Sequence, residues 1–226
     1  VSAPPVLFAD RRYVVLNKPA GLASHAGPRG GASAEDWFGP LSRRRDGPWL
    51  AHRLDADTAG CLVVALRKTA LLEAQALFAA GQVEKVYWAV VEGRPDADAG
   101  QVADRLVKRN GPEGWRMVRD GGGQAAVTDW RLAGTDGARS WLELRPRTGR
   151  THQIRVHCAW LGCPIVGDPI YGTVAAGGLQ LLARSVRVPV TPAVYAVAPV
   201  PVHMQGHGLP GGAFAGWDEA GARAAD

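Results

Sequence analysis

Six consecutive apolar residues, 61–66 (CLVVAL), follow directly on the charged stretch His52-Arg53-Leu54-Asp55-Ala56-Asp57-Thr58-Ala59-Gly60. A segment apolar on both faces belongs in the covered interior of a sheet. The charged stretch therefore sits at the end of a rigid central strand, where a scaffold can present catalytic groups. Taken alone, it fits an ordinary surface turn with solvated ion pairs better than a site.

The rest of the chain supplies partners for that strand. Strand signals appear at residues 13–16, 83–91, 100–107, 115–118, 125–132, 140–144, 181–188 and 195–197, bounded by Gly, Asp or Pro. Residues 68–80 carry Leu71, Leu72, Ala76 and Leu77 at helical spacing and stop before Gly81. A second helix is expected over 151–161, and a short one near 34–38 within a Gly-, Arg- and Pro-rich loop. Gly121–Gly123 is expected in a hairpin loop. Many strands with few helices define an α+β class: a mixed, mainly antiparallel sheet with flanking helices. The 226 residues suit a single catalytic domain, and the Gly/Ala-rich tail at 207–226 is expected to be flexible.

Lys and Arg total 26 against 21 Asp and Glu, a formal charge of +5, which favours an anionic partner. Three cysteines make no disulfide framework, so a reducing cytoplasm is expected. No apolar run reaches the ~20 residues of a membrane span. His152 and His157 are five apart and diverge on a helix, no C-x-x-C or H-E-x-x-H occurs, and no metal is expected. Phosphate-loop, dinucleotide and hydrolase-elbow fingerprints are absent, so no nucleotide cofactor is expected.

Two further stretches gather polar residues. Arg147 to His157 places two arginines ahead of the second helix; Thr151 at its start would leave free amides for an anion, or the helix is simply capped. In Glu84-Lys85-Val86-Tyr87-Trp88, Lys85 and Tyr87 share one strand face, which an amphipathic strand alone explains.

Together and in this order, the three stretches resemble the RluA-type pseudouridine synthases over roughly residues 6–202. His52-Arg53-Leu54-Asp55 with Thr58 and Gly60 carries the first motif, with Ala59 where the family has Ser. Lys85-Val86-Tyr87, then Ala89-Val90 and Gly93, matches the second. Thr148-Gly149-Arg150-Thr151-His152-Gln153-Ile154-Arg155-Val156-His157, continued by Gly167-Asp168-Pro169-Ile170-Tyr171-Gly172, matches the third. Asn17-Lys18-Pro19-Ala20-Gly21-Leu22 resembles the opening strand and turn. Leu182 stands where the family has His.

The resemblance implies a pseudouridine synthase fold and a cofactor-free isomerisation of uridine in structured rRNA or tRNA. The expected construction is a catalytic domain without the S4-type RNA-binding domain of some relatives, acting as a monomer. It makes Asp55 the catalytic carboxylate, Arg155 its cation, bidentate where geometry permits, and Tyr87 the aromatic beside the target base. Arg53, Arg150, Lys18, Lys85 and His52 are the expected RNA-binding residues, while the Arg43-Arg44-Arg45 run is either a further phosphate contact or a solvated loop. Hydrogen bonds of His52, His152 and Asp57 are expected to fix the loop and helix. Either Tyr87 or Asp55 could take the C5 proton.

Overall fold

Strand β4 (Ala59–Ala65) is buried at all seven positions, as its unbroken apolar sequence requires. It pairs antiparallel with β2 (Tyr13–Lys18) and parallel with β10 (Leu181–Val188). The structure, a computed structural model, describes residues 2–207 apart from 28, 29, 43–45 and 113. The Arg43-Arg44-Arg45 run and nearly all of the expected tail thus lie outside the described residues.

The remaining strands are β1 (Val6–Ala9), β3 (Trp49–Leu50), β5 (Glu84–Glu92), β6 (Ala99–Gly111), β7 (Gly114–Arg119), β8 (Gln124–Thr135), β9 (Arg139–Pro146) and β11 (Val194–Val197). Among the described residues they form one sheet ordered β1-β2-β4-β10-β5-β9-β8-β6-β7, with β3 paired to β4 and β11 to β10. Every strand pairing except β4 with β10 is antiparallel. This is the mixed, mainly antiparallel α+β architecture expected from the sequence.

Helices cover the two faces. From α1 (Lys68–Ala79), Ala70, Leu71 and Ala74 join Val63, Trp88 and Leu182 in the largest core cluster. From α2 (Gln153–Trp160), Ile154 and Cys158 pack on Ala89, Leu142 and Leu144 across the other face. A last short helix, α3 (Val202–Gln205), buries Met204 against the α1 side. Among the described residues no helix is long and apolar enough to cross a membrane.

The expected helix start at Thr151 is corrected. His152 takes a left-handed φ of 54°, which breaks helical geometry, and α2 begins at Gln153. The Gln153 side chain folds back instead: its Oε1 accepts the Arg150 N–H (3.0 Å) and the Thr148 hydroxyl (2.7 Å). The Arg150 amide is thus satisfied within the protein and does not face an anion.

Two glycines are dictated by close approach. A Cβ on Gly60 (φ +111°) would lie 2.2 Å from the Ala183 carbonyl oxygen, where β4 meets β10. A Cβ on Gly167 (φ +76°) would lie 1.9 Å from the Gly178 carbonyl oxygen. Each flanks a carboxylate-bearing loop, and only Gly accepts both the contact and the positive φ.

Candidate active site

The loop before β4 is held from beneath. The Ser24 hydroxyl donates to the Leu54 carbonyl (2.7 Å) and accepts the Leu54 N–H (2.9 Å). Leu54 packs among Leu16, Leu22 and Leu62. These anchors fix the backbone on one side of Asp55 and leave its side chain 23% exposed.

Lys18 is fully buried, and its Nζ donates to the carbonyls of Pro19 (2.9 Å), Leu22 (2.6 Å) and Ala56 (2.8 Å). It cannot also meet an RNA phosphate, so its expected role is corrected: Lys18 braces the Asp55 loop. Burial lowers its pKa to about 8, against the pull of Asp57 and Asp55. His52 is corrected in the same sense. Its Nε2 accepts the Val63 N–H (3.1 Å) and its ring stacks on Phe78 at 4.6 Å. Burial, aided by the Lys85 charge, lowers its pKa to about 4, so it is neutral and structural, a poor phosphate ligand.

The cation beside Asp55 is Arg155, but the bidentate pairing goes elsewhere. Arg155 Nε and NH2 donate to Asp168 Oδ2 (2.8 Å) and Oδ1 (2.7 Å). Both side chains are almost wholly buried. Arg155 NH1 lies 3.7 Å from Asp55 Oδ2. The reason is burial: Asp168 also accepts the Ile170 and Tyr171 N–H groups (2.9 and 3.1 Å), a complete set of partners for a desolvated carboxylate. Burial alone would raise the Asp168 pKa, but the hydrogen bonds and charge of Arg155 prevail and lower it. For Arg155 burial is likewise outweighed, by Asp168 and Asp55, and the guanidinium stays charged.

His152 lies on the other side, its Nε2 3.8 Å from Asp55 Oδ2. The Tyr171 hydroxyl accepts the Met117 N–H (2.9 Å) and also hydrogen-bonds His152 Nδ1 (3.0 Å). That bond holds the ring with Nε2 facing Asp55; burial lowers the His152 pKa against the pull of Asp55. The positive φ of His152 aims the ring there, a feature invisible in the sequence.

Tyr87 stands on central strand β5, opposite Ala183 on β10 and Leu144 on β9, its ring packed between two core clusters. Burial, reinforced by Asp55, pushes its phenol pKa up, so the hydroxyl keeps its proton. Tyr87, Asp55 and Arg155 line a cavity of about 260 Å³ with Leu181, Ile154 and Pro146 as apolar walls. Lys85 and Arg150 stand in its rim. Lys85 Nζ donates to the Thr148 carbonyl (3.1 Å), and burial with the nearby Arg150 charge lowers its pKa to about 8. Arg150 Nε donates to the Ala125 carbonyl (2.9 Å). Exposed Arg53 lines both this cavity and a second of about 740 Å³, which meets the first at Asp55.

The structure thus gathers Asp55, Tyr87, Arg155, Arg53, Lys85 and Arg150 around one cleft, keeps half-buried His52 in its wall bonded to β4, and withdraws Lys18 into its supports. Sequence reasoning missed the part of Asp168, although the Gly167-Asp168-Pro169 segment of the third motif contains it.

A carboxylate beside a buried cation, in a cavity walled by an aromatic ring and flanked by basic side chains, is the kind of site an enzyme working on a base of a nucleic acid needs. The chain belongs to the RNA pseudouridylate synthase family, which matches over residues 12–160. It is 42% identical over 176 residues to an uncharacterized RNA pseudouridine synthase of Zymomonas mobilis, covering 76% of this chain and 80% of that protein. It is 41% identical over 183 residues to ribosomal large subunit pseudouridine synthase D of Xanthomonas campestris, covering 78% of this chain and 53% of that one. The chain therefore spans about half the length of the latter relative. Human RNA pseudouridylate synthase domain containing 4 superposes with a TM-score of 0.74 at 29% identity, covering 88% of this chain and 90% of that one.

Proposed function

We propose that the chain isomerises a uridine of a structured ribosomal or transfer RNA to pseudouridine, acting in the cytoplasm as a monomer with Asp55 as its catalytic carboxylate. The observation that carries this reading is the Asp55 carboxylate beside Arg155 on a cavity that Tyr87 also lines. Relatives named for the ribosomal large subunit support RNA as the partner.

The reaction breaks the C1′–N1 bond, turns the uracil, forms C1′–C5 and moves the C5 proton away while N1 gains one. Atoms balance with no redox partner. The target base must leave its stack, at a cost of a few kcal/mol. Arg53, exposed on the rim, stacks through its guanidinium plane in the vacated space, while Lys85 and Arg150 hold phosphates. The Tyr87 ring packs against the extruded uracil. Its raised pKa makes it a poor base, which favours Asp55 for the C5 proton.

The test is tritium release from C5-tritiated total RNA prepared from a strain lacking this gene. Wild type should release tritium, and Asp55→Asn should lose at least about 10³-fold in rate. Equal release by both proteins, or none by wild type, overturns the proposal.

A further inference from the structure

The hairpin of β6 and β7 carries a tryptophan to the mouth of the second cavity. Trp115 is 38% exposed, and it is the one large aromatic exposed to that degree among the described residues. A single exposed indole is ordinary surface; what sets Trp115 apart is that it lines a cavity shared with Asp55. One contact of its ring is a stack on His152, with centroids 4.7 Å apart and planes 26° from parallel. The other is Lys108, whose Nζ stands 4.4 Å from the ring centroid. Lys108 is exposed, a flexible chain that an incoming ring can displace.

The cavity that Trp115 lines is nearly three times the volume of the one that Tyr87 lines (about 740 against 260 Å³), and the two share Asp55, His152 and Arg155 in their walls. The first is too large for a single uracil to fill. Arg53, Arg116 and Arg155 line it against Asp55 and Asp57, and Lys108 stands over the Trp115 ring, so cations outnumber carboxylates where a phosphodiester backbone would pass.

We propose that Trp115 is a stacking platform for an unpaired nucleobase adjacent to the target uridine, with Lys108 and Arg116 taking the intervening phosphates. This rests on the function proposed above and adds a second base-binding site to it. The ligand class is a single-stranded RNA segment splayed at the target, one base under Tyr87 and a neighbour on Trp115. Stacking on an indole tolerates any base, so the platform selects for unpaired structure more than for sequence.

Losing one such stack weakens binding roughly five- to hundredfold. With the same C5-tritiated total RNA, Trp115→Leu should raise the apparent KM about tenfold, within that range, with a smaller effect on kcat. Trp115→Phe and Trp115→Tyr keep a ring against His152 and should fall between wild type and the leucine variant. They carry the test on their own should the leucine variant not fold. A cover that merely holds His152 against Asp55 would act on kcat; loss confined to kcat, or a KM indifferent to ring size, overturns the inference. Filter binding of the same RNA to Asp55→Asn and to Asp55→Asn with Trp115→Leu separates the two proposals. A tenfold weaker double variant supports the platform, and equal binding overturns it. Failure of wild type to release tritium would strike the proposed function itself.

Discussion

Arg155 presents a planar fork of donors, and Asp168 takes two of them, which leaves NH1 directed at Asp55. The Asp55 carboxylate is thereby given a positive neighbour without being locked to it. Asp168→Asn removes one charge of a buried pair, a loss of about 3–5 kcal/mol in folding stability. Urea unfolding should register it. The same variant should lower kcat on the order of 10²-fold, because a guanidinium freed from its partner shifts by about an ångström at the reacting site. Asp55, Tyr87 and Arg155 were legible because each sits in a continuous motif. The Arg155–Asp168 pairing was not, since it depends on how the loop after α2 returns to the helix. Nor was the burial of Lys18, whose three carbonyl partners come from two separate turns.

At the scale of elements, the parallel pairing of β4 with β10 joins two departures from the family pattern. Ala59 replaces a usual serine and Leu182 a usual histidine, and the two are register partners. Both lie in the core cluster shared with Trp88 and α1, on the face of the sheet opposite Tyr87. A polar pair has become an apolar one, away from the chemistry. Ala59→Ser or Leu182→His alone buries a polar group without its partner, at about 1–3 kcal/mol. The double substitution should recover roughly 1 kcal/mol of the summed loss, measurable as a coupling in a double-mutant cycle. β4 itself was legible because it is apolar throughout. β1 and β3 were not, with four and two residues too few to show a period. β6 runs to thirteen residues because hydrogen bonds to β7 and β8 hold it, while its side chains are mostly exposed and give little alternation to read.

Across the whole molecule, acid stability is expected to turn on two histidines, half-buried His52 and buried His157. His52 and His157 have pKa values lowered to about 4, both chiefly by burial, whereas an unfolded chain protonates them near 6.5. The unfolded state then binds more protons below that value. Stability is complete above about pH 6.5 and falls as the pH drops toward 4, by up to roughly 3 kcal/mol for each histidine. Chemical denaturation across that window should show a declining midpoint, and His157→Gln should flatten it. A stability independent of pH between 4 and 6.5 would contradict this assignment.

The β6–β7 hairpin stands at the end of the strand order, beyond β8, and reaches the site through Trp115 on His152 and the Met117 amide on Tyr171. It is contiguous in sequence, while Asp55, Tyr87 and Arg155 come from elsewhere. A continuous stretch of chain thus buttresses a site assembled from distant segments: exchanging the hairpin as one piece would alter the support of His152 and Tyr171 together, without touching Asp55, Tyr87 or Arg155 in sequence.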